Sequence, residues 1–138
     1  PDVPGLPYRT WPLPNVWMGV SAENQQWADI RIPALIETPA AERFVSAEPL
    51  LGPIEMSCWL QFGGVSWVIV GGESGPGARP MYPGWTRSLR DQCTDAGVPF
   101  LFKQWGEWGP SLGRSPSQCL VWPDGTYREF DHTPGSFE

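Results

Sequence analysis

The tetrapeptide Val-Ser-Ala-Glu occurs twice, at residues 20–23 and 45–48, each time at the end of a short run rich in apolar and β-branched residues. Small residues suit any strand exit, which accounts for the Ser and the Ala. Two carboxylates in equivalent positions require a repeated unit, so Asn15 to Ser21 and Arg43 to Ala47 are read as successive strands with the same exit. A third strand is Trp67 to Val70, a continuous apolar run of the kind covered on both faces in a parallel sheet. It leads at once into Gly71-Gly72-Glu73-Ser74-Gly75-Pro76-Gly77, whose glycines permit positive φ and close approach. Val98 to Phe102 is the fourth strand, and it exits at Lys103-Gln104-Trp105-Gly106-Glu107-Trp108.

Between the strands the period changes. Asn24 is placed to cap a helix from Gln25 to Thr38, where Trp27, Ile30, Ala34 and Leu35 form one apolar stripe. Pro33 inside it predicts a short or kinked helix that ends before Pro39. Leu50 to Gly64 reads as a long connection, broken at Gly52-Pro53, with one helical turn around Glu55 to Leu60. Pro83 and Gly97 bracket another helix that turns Trp85, Leu89, Cys93 and Ala96 inward. This alternation predicts an α/β fold of parallel βαβ units with right-handed crossovers.

After Pro110 the alternation stops. Gln118 to Trp122 and Thr126 to Phe130, joined around Pro123-Asp124-Gly125, predict a C-terminal β-hairpin. Pro1, Pro4, Pro7, Pro12 and Pro14 exclude a regular helix at the start, and Tyr8 and Trp11 make an extended arm that lies on something. A chain of 138 residues suffices for one core. The expected organisation is a single domain: arm 1–14, βα units 15–110, hairpin and tail 111–138.

The formal charge of −6 argues against nucleic acid or anionic membrane as a direct partner, because phosphates need a basic face. No apolar run is long enough for a membrane helix and no signal peptide is evident, so a cytoplasmic protein is expected. Cys58, Cys93 and Cys119 lack any metal-ligand or disulfide-scaffold spacing and read as reduced thiols. His132, the only histidine, falls in a Pro/Gly tail, which leaves no basis for a Ser/His or Cys/His site.

In a parallel sheet all strand exits open on one side. Ser21, Glu23 and Asn24, then Ser46 and Glu48, then Glu73 and Ser74, then Lys103, Gln104 and Glu107 therefore converge. Lys103 is the only lysine; it is either an ion-pair partner for Glu48 or Glu73, or an amine with chemical work to do. The glycine loop lacks the Lys-Ser/Thr ending of a phosphate loop, and the charge of Glu73 opposes phosphate. A neutral or zwitterionic ligand suits it better.

Four segments carry a resemblance: Asn-Val-Trp-Met-Gly-Val-Ser-Ala-Glu-Asn (15–24), Arg-Phe-Val-Ser-Ala-Glu-Pro-Leu-Leu-Gly-Pro (43–53), residues 67–80, and Phe-Lys-Gln-Trp-Gly-Glu-Trp (102–108). In order and spacing they resemble the second half of a phage and prophage family of unknown function, regarded as radical-SAM-like with a (β/α) barrel. The resemblance spans residues 11–110 and implies strands five to eight of that barrel. It implies Lys103 and Glu73 as catalytic candidates. Glu23, Glu48, Gly71, Gly72 and Ser74 become candidate contacts to a cofactor, S-adenosylmethionine, once the barrel is completed. The family's N-terminal cysteine motif, which would hold an iron–sulfur cluster, has no counterpart here, so no metal is expected on this chain and no activity from it alone.

Half a barrel leaves two sheet edges and an apolar inner face open to association. Three solutions are open: pairing with the missing N-terminal half, pairing with a second copy, or covering the edges with the proline arm and the terminal hairpin; the first two give the expected partners. A different reading is a non-catalytic acidic phage protein that binds and inhibits a host defence or nucleic-acid-binding protein, with Trp105, Trp108 and Trp122 as exposed anchors.

Overall fold

The computed structural model describes residues 11–110, 119–121 and 127–129. The first ten residues, with Tyr8, and Trp122, His132 and the turn at Pro123-Asp124-Gly125 lie outside them. In chain order the elements are β1 (Trp17–Ser21), α1 (Gln25–Glu37), β2 (Glu42–Ala47), α2 (Ser57–Gln61), β3 (Trp67–Gly71), α3 (Pro83–Ala96) and β4 (Phe100–Gln104). Three short strands follow: β5 (Gly109–Pro110), β6 (Cys119–Val121) and β7 (Tyr127–Glu129). The first four strands form one sheet in the order β1-β2-β3-β4, every neighbour pair parallel. With a helix in each crossover this is the architecture of half a (β/α) barrel. The expected hairpin is present as the antiparallel pair β6–β7, and β5 adds a third strand to it.

The helices start and stop for local reasons. The side chain of Asn24 accepts the Trp27 N–H at 3.3 Å, the N-cap expected of it. At the other end of α1 the guanidinium of Arg43, from β2, donates to the carbonyls of Leu35 and Thr38 at 2.9–3.1 Å. A cation there satisfies carbonyls that the helix cannot and complements its negative end. Pro33 lies inside α1, which runs 13 residues and ends at Glu37, before Pro39 as expected. Pro83 stands at the start of α3, and Gly97 closes it with φ 67°, a left-handed turn that a side chain would resist.

One face of the sheet is covered by the helices. Val45, Ala47, Val68 and Val70 are fully buried there and form one core with Ala28, Ile32 and Leu35 of α1, Leu60 of α2, and Leu89 and Cys93 of α3. Each buried valine contributes about 1.5–3 kcal/mol relative to exposure. The stripe expected on α1 is corrected. Ala28, Ile32 and Leu35 face the core, whereas Trp27, Ile30 and Ala34 are exposed. On α3 the expected face is the one that packs, with Leu89 and Cys93 buried and Trp85 and Ala96 against the core.

The opposite face differs from the expectation of a strand covered on both sides. Trp17 is 55 % exposed and Leu101 44 %, and Phe44, Trp67 and Ile69 are only half-buried. A parallel sheet ordinarily has both faces covered. Among the described residues this one does not. Element bounds also shift: β1 begins at Trp17 rather than Asn15, the helical turn expected at Glu55 to Leu60 is Ser57–Gln61, and β4 runs Phe100–Gln104 rather than Val98 to Phe102. No helix among the described residues is long and apolar enough to cross a membrane.

Candidate functional site

The C-terminal ends of β2, β3 and β4 meet at one ion pair. The pairing of β3 with β4 is regular through Val70 opposite Phe102, then shifts so that Gly71 stands opposite Gln104. Lys103 is the residue left unmatched, and such a bulge re-aims a side chain. Its ammonium lies 3.1 Å from Oε1 of Glu48. The Ser46 hydroxyl donates to Oε2 of the same carboxylate at 2.8 Å. Gly71 passes directly beneath: a Cβ there would overlap the Glu48 carboxylate. Glycine on β3 is thus what lets the β2 carboxylate reach the β4 lysine. Glu48 is 19 % exposed and Lys103 56 %, so the pair adds about 1 kcal/mol or less to stability and remains open to a ligand.

The glycine loop is organised around Glu73. Arg79 donates to it three times, from Nη2 to Oε1 at 2.8 Å and from Nε and the backbone N–H to Oε2 at 2.9 and 2.7 Å. These bonds, the side-chain ones foremost, hold the Glu73 carboxyl at about 2 against an ordinary value of 4.5, and Glu73 in turn raises Arg79. The loop also continues the β3–β4 ladder. Gly72 donates to the Gln104 carbonyl at 2.9 Å and Glu107 to the Glu73 carbonyl at 3.0 Å. The two backbones run so close that a Cβ on Gly72 would enter the Trp105 carbonyl, and one on Gly106 the Glu73 carbonyl.

Further along, the Gly75 N–H goes to Oε1 of Glu107 at 3.1 Å and the Ala78 N–H to the Gly75 carbonyl at 3.1 Å. The N–H groups of Gly72, Gly75, Ala78 and Arg79 are therefore all satisfied inside the protein, two of them by carboxylates. This is the opposite of a phosphate cradle, as the charge of Glu73 implies. Ser74 is exposed, its hydroxyl accepting from Nε2 of Gln104 at 3.0 Å.

Glu23 stands apart from this cluster. Arg31 of α1 pairs with it at 3.1 Å, donates to the Ser21 carbonyl at 2.9 Å, and lies 4.3 Å over the Trp27 ring. The repeated tetrapeptide thus has equivalent backbone roles but unequal rims. Ser21 and Ser46 are register partners on the uncovered face, and Ala22 and Ala47 are both fully buried. The two glutamates then take different cations. Of the seven catalytic and cofactor-contact candidates, Glu48, Gly71 and Lys103 converge directly; Gly72, Glu73 and Ser74 form the adjoining loop; Glu23, just before α1, is held by Arg31 of that helix. Ser46, expected among the converging strand exits, is there as well; Arg79 and Arg31, which complete these sites, were not expected. The signal for Arg79 was present, a lone cation six residues beyond Glu73 in a loop too tight to separate them.

The expected exposed anchors are corrected as well. Trp105 is half-buried on Phe102 with ring centroids 4.9 Å apart. Trp108 is half-buried and donates its indole N–H to the Ala78 carbonyl at 2.8 Å. Both hold the rim loops together. Among the described residues no group of three His, Cys, Asp or Glu side chains could hold a metal ion. Cys93 is sealed in the core, where burial pushes its thiol up to about 11, and Cys58 is exposed. The described residues therefore do not fit an iron–sulfur cluster, which needs several converging thiolates.

No curated protein and no solved structure matches this chain. A family model described as a protein of unknown function does match, over residues 4–130, which includes the sheet, the rim and both β6 and β7. The chain belongs to that family, DUF5131.

Proposed function

We propose that this chain forms the ligand-facing half of a radical-SAM-like (β/α) barrel of phage origin and acts only when another chain covers its inner face. One observation carries the reading: the uncovered face of the parallel sheet rises from apolar residues to the polar rim of Ser46, Glu48 and Lys103. That gradient is how a barrel mouth is built, with a packed floor and reactive groups at the C-terminal ends.

In this reading the Glu48–Lys103 pair receives the two charges of an amino-acid end, carboxylate on the lysine and ammonium on the glutamate. S-adenosylmethionine carries such an end. Ser46 fixes the Glu48 carboxylate, and Gly71 gives it room. Glu73 enters only if Arg79 is released, because both of its oxygens are already engaged. No step is assigned to an iron–sulfur cluster, since the described residues do not fit one. The resemblance of residues 15–24, 43–53, 67–80 and 102–108 supports the barrel assignment.

The test compares S-adenosylmethionine with 5′-methylthioadenosine, which lacks the amino-acid end, by equilibrium dialysis against the protein in its assembled form. Glu48→Gln and Lys103→Met should each weaken the first ligand about tenfold, the size of one charge-assisted hydrogen bond. Binding of the second should not change. Equal binding of S-adenosylmethionine by parent and both variants overturns the assignment. A second reading, a non-catalytic protein that binds a host protein, is supported by the same open face and shares the requirement for a partner on it.

A further inference from the structure

At the other end of the uncovered face lies an environment the rim does not use. Trp17 begins β1, Glu42 begins β2 and Trp67 begins β3; the parallel register sets Trp17 beside Glu42 and Phe44 beside Trp67. The rings of Trp17 and Trp67 meet edge to face at 88° with centroids 6.0 Å apart, and Phe44 tilts against Trp67 at 5.9 Å. Gly19 makes this possible, for a Cβ there would enter the Phe44 ring. The three aromatics and Glu42 line a cleft of about 290 Å³.

Among the described residues the cleft carries one uncompensated charge. The side chain of Glu42 enters no hydrogen bond or ion pair with any of them. Arg43, the only other charged residue among the described residues that line the cleft, sends its guanidinium behind the sheet to the carbonyls at the end of α1. A carboxylate beside electron-rich ring faces attracts a cation. The molecule contains the filled version of the same arrangement: Arg31 lies 4.3 Å over Trp27 while paired with Glu23. Trp17 and Glu42 are such a pair without the cation.

We propose that this cleft receives the guanidinium or ammonium group of an arginine or lysine carried on an apolar segment of a partner protein other than a second copy. The proposal rests on the reading that another chain covers the inner face, and it gives that chain's chemistry. A second copy does not fit. To close a parallel barrel it must run its strands in the same direction, and the cation of its inner face, Lys103, then sits at the far end. Six residues of strand separate Glu42 from Glu48, roughly 20 Å.

The test uses the full chain, with N-acetylarginine amide and the neutral isostere N-acetylcitrulline amide as probes. Indole N–H resonances are followed, that of Trp17 being assigned with Trp17→Phe. The arginine probe should shift Trp17 saturably, and the citrulline probe should bind about fivefold more weakly, as expected for one cation–π contact with an exposed ion pair. Glu42→Gln should bring the arginine probe to the citrulline level, and Lys103→Met should leave it unchanged.

Equal response to both probes, absence of a saturable shift, or an unchanged response in Glu42→Gln each overturns the proposal. The ligand test at the rim separates this from the barrel reading. S-adenosylmethionine binding that Glu48→Gln and Lys103→Met weaken, in a protein that rejects the arginine probe, overturns the cleft and keeps the barrel mouth. Arginine binding in a protein whose S-adenosylmethionine binding those two variants leave unchanged supports the cleft while the barrel-mouth reading fails.

Discussion

Gly71 on β3 and Glu48 beyond β2 occupy each other's space: the carboxylate fills the volume where any other residue at 71 would place its Cβ. The ion pair to Lys103 at 3.1 Å depends on that vacancy. Gly71→Ala should push the carboxylate off the lysine and cost about 1–3 kcal/mol, the usual range for overpacking. Because the obstructing atoms are a side-chain end, Glu48→Ala in the same chain should recover part of the loss. A double-mutant cycle in denaturant measures this coupling; strictly additive losses would contradict the relationship.

Gly72 and Gly106 give a contrasting case. Their would-be Cβ atoms meet backbone carbonyls, those of Trp105 and Glu73, which cannot swing aside. Gly72→Ala should therefore cost more than Gly71→Ala and should not be rescued by any side-chain truncation at the rim. Thermal unfolding of the two variants ranks them directly.

The Glu73–Arg79 pair predicts a pH dependence. The folded-state value of Glu73, about 2, lies below its ordinary 4.5, so the unfolded chain binds the proton first as pH falls. The pair's contribution is fully present above pH ~4.5 and is lost between there and pH ~2. The stability gap between the parent and Glu73→Gln should be constant above that window and close within it. The arginine is exposed, so the gap itself is small. A gap that does not change with pH would contradict the assignment.

Thiol accessibility checks the core. Cys93 is buried with its thiol raised to about 11, while Cys58 is exposed. At pH 8 a thiol reagent should label Cys58 rapidly in the native protein and Cys93 only at the rate of opening, because the thiolate is the reactive form. Peptide mapping after timed labelling reads both; equal rates would place Cys93 outside the core.

Much of this was legible in the chain. Asn24, Pro83 and Gly97 mark their helix ends by chemistry that acts locally, and the repeated Val-Ser-Ala-Glu marks two equivalent strand exits. The inward face of α1 was not legible. Trp27 and Ile30 make an apolar stripe as good as that of Ala28 and Ile32, and only the placement of the sheet decides between them. The misread stripe also hid the use of Trp27 as a platform for Arg31.

The end of β4 was missed for a related reason. Lys103 and Gln104 are polar, yet the bulge opposite Gly71 keeps them in the ladder, and a bulge is set by the partner strand. Similarly, Trp67 to Val70 has the composition of a strand covered on both faces. Among the described residues only the helix-covered face of the sheet is closed, a difference that composition alone does not carry.

The claim that the inner face is a docking surface is tested most directly by the solution mass of the purified chain beside Ile69→Glu, over a wide dilution range. Near-UV circular dichroism confirms that the variant is folded. Ile69 is half-buried at the centre of that face, and an uncovered apolar patch drives association. The account predicts apolar-dye binding by the parent that is lost in the variant, and at most weak self-association that disappears on dilution, since a second copy does not complete the face. A parent that is monomeric at every concentration, and that binds the dye no better than Ile69→Glu, would contradict it.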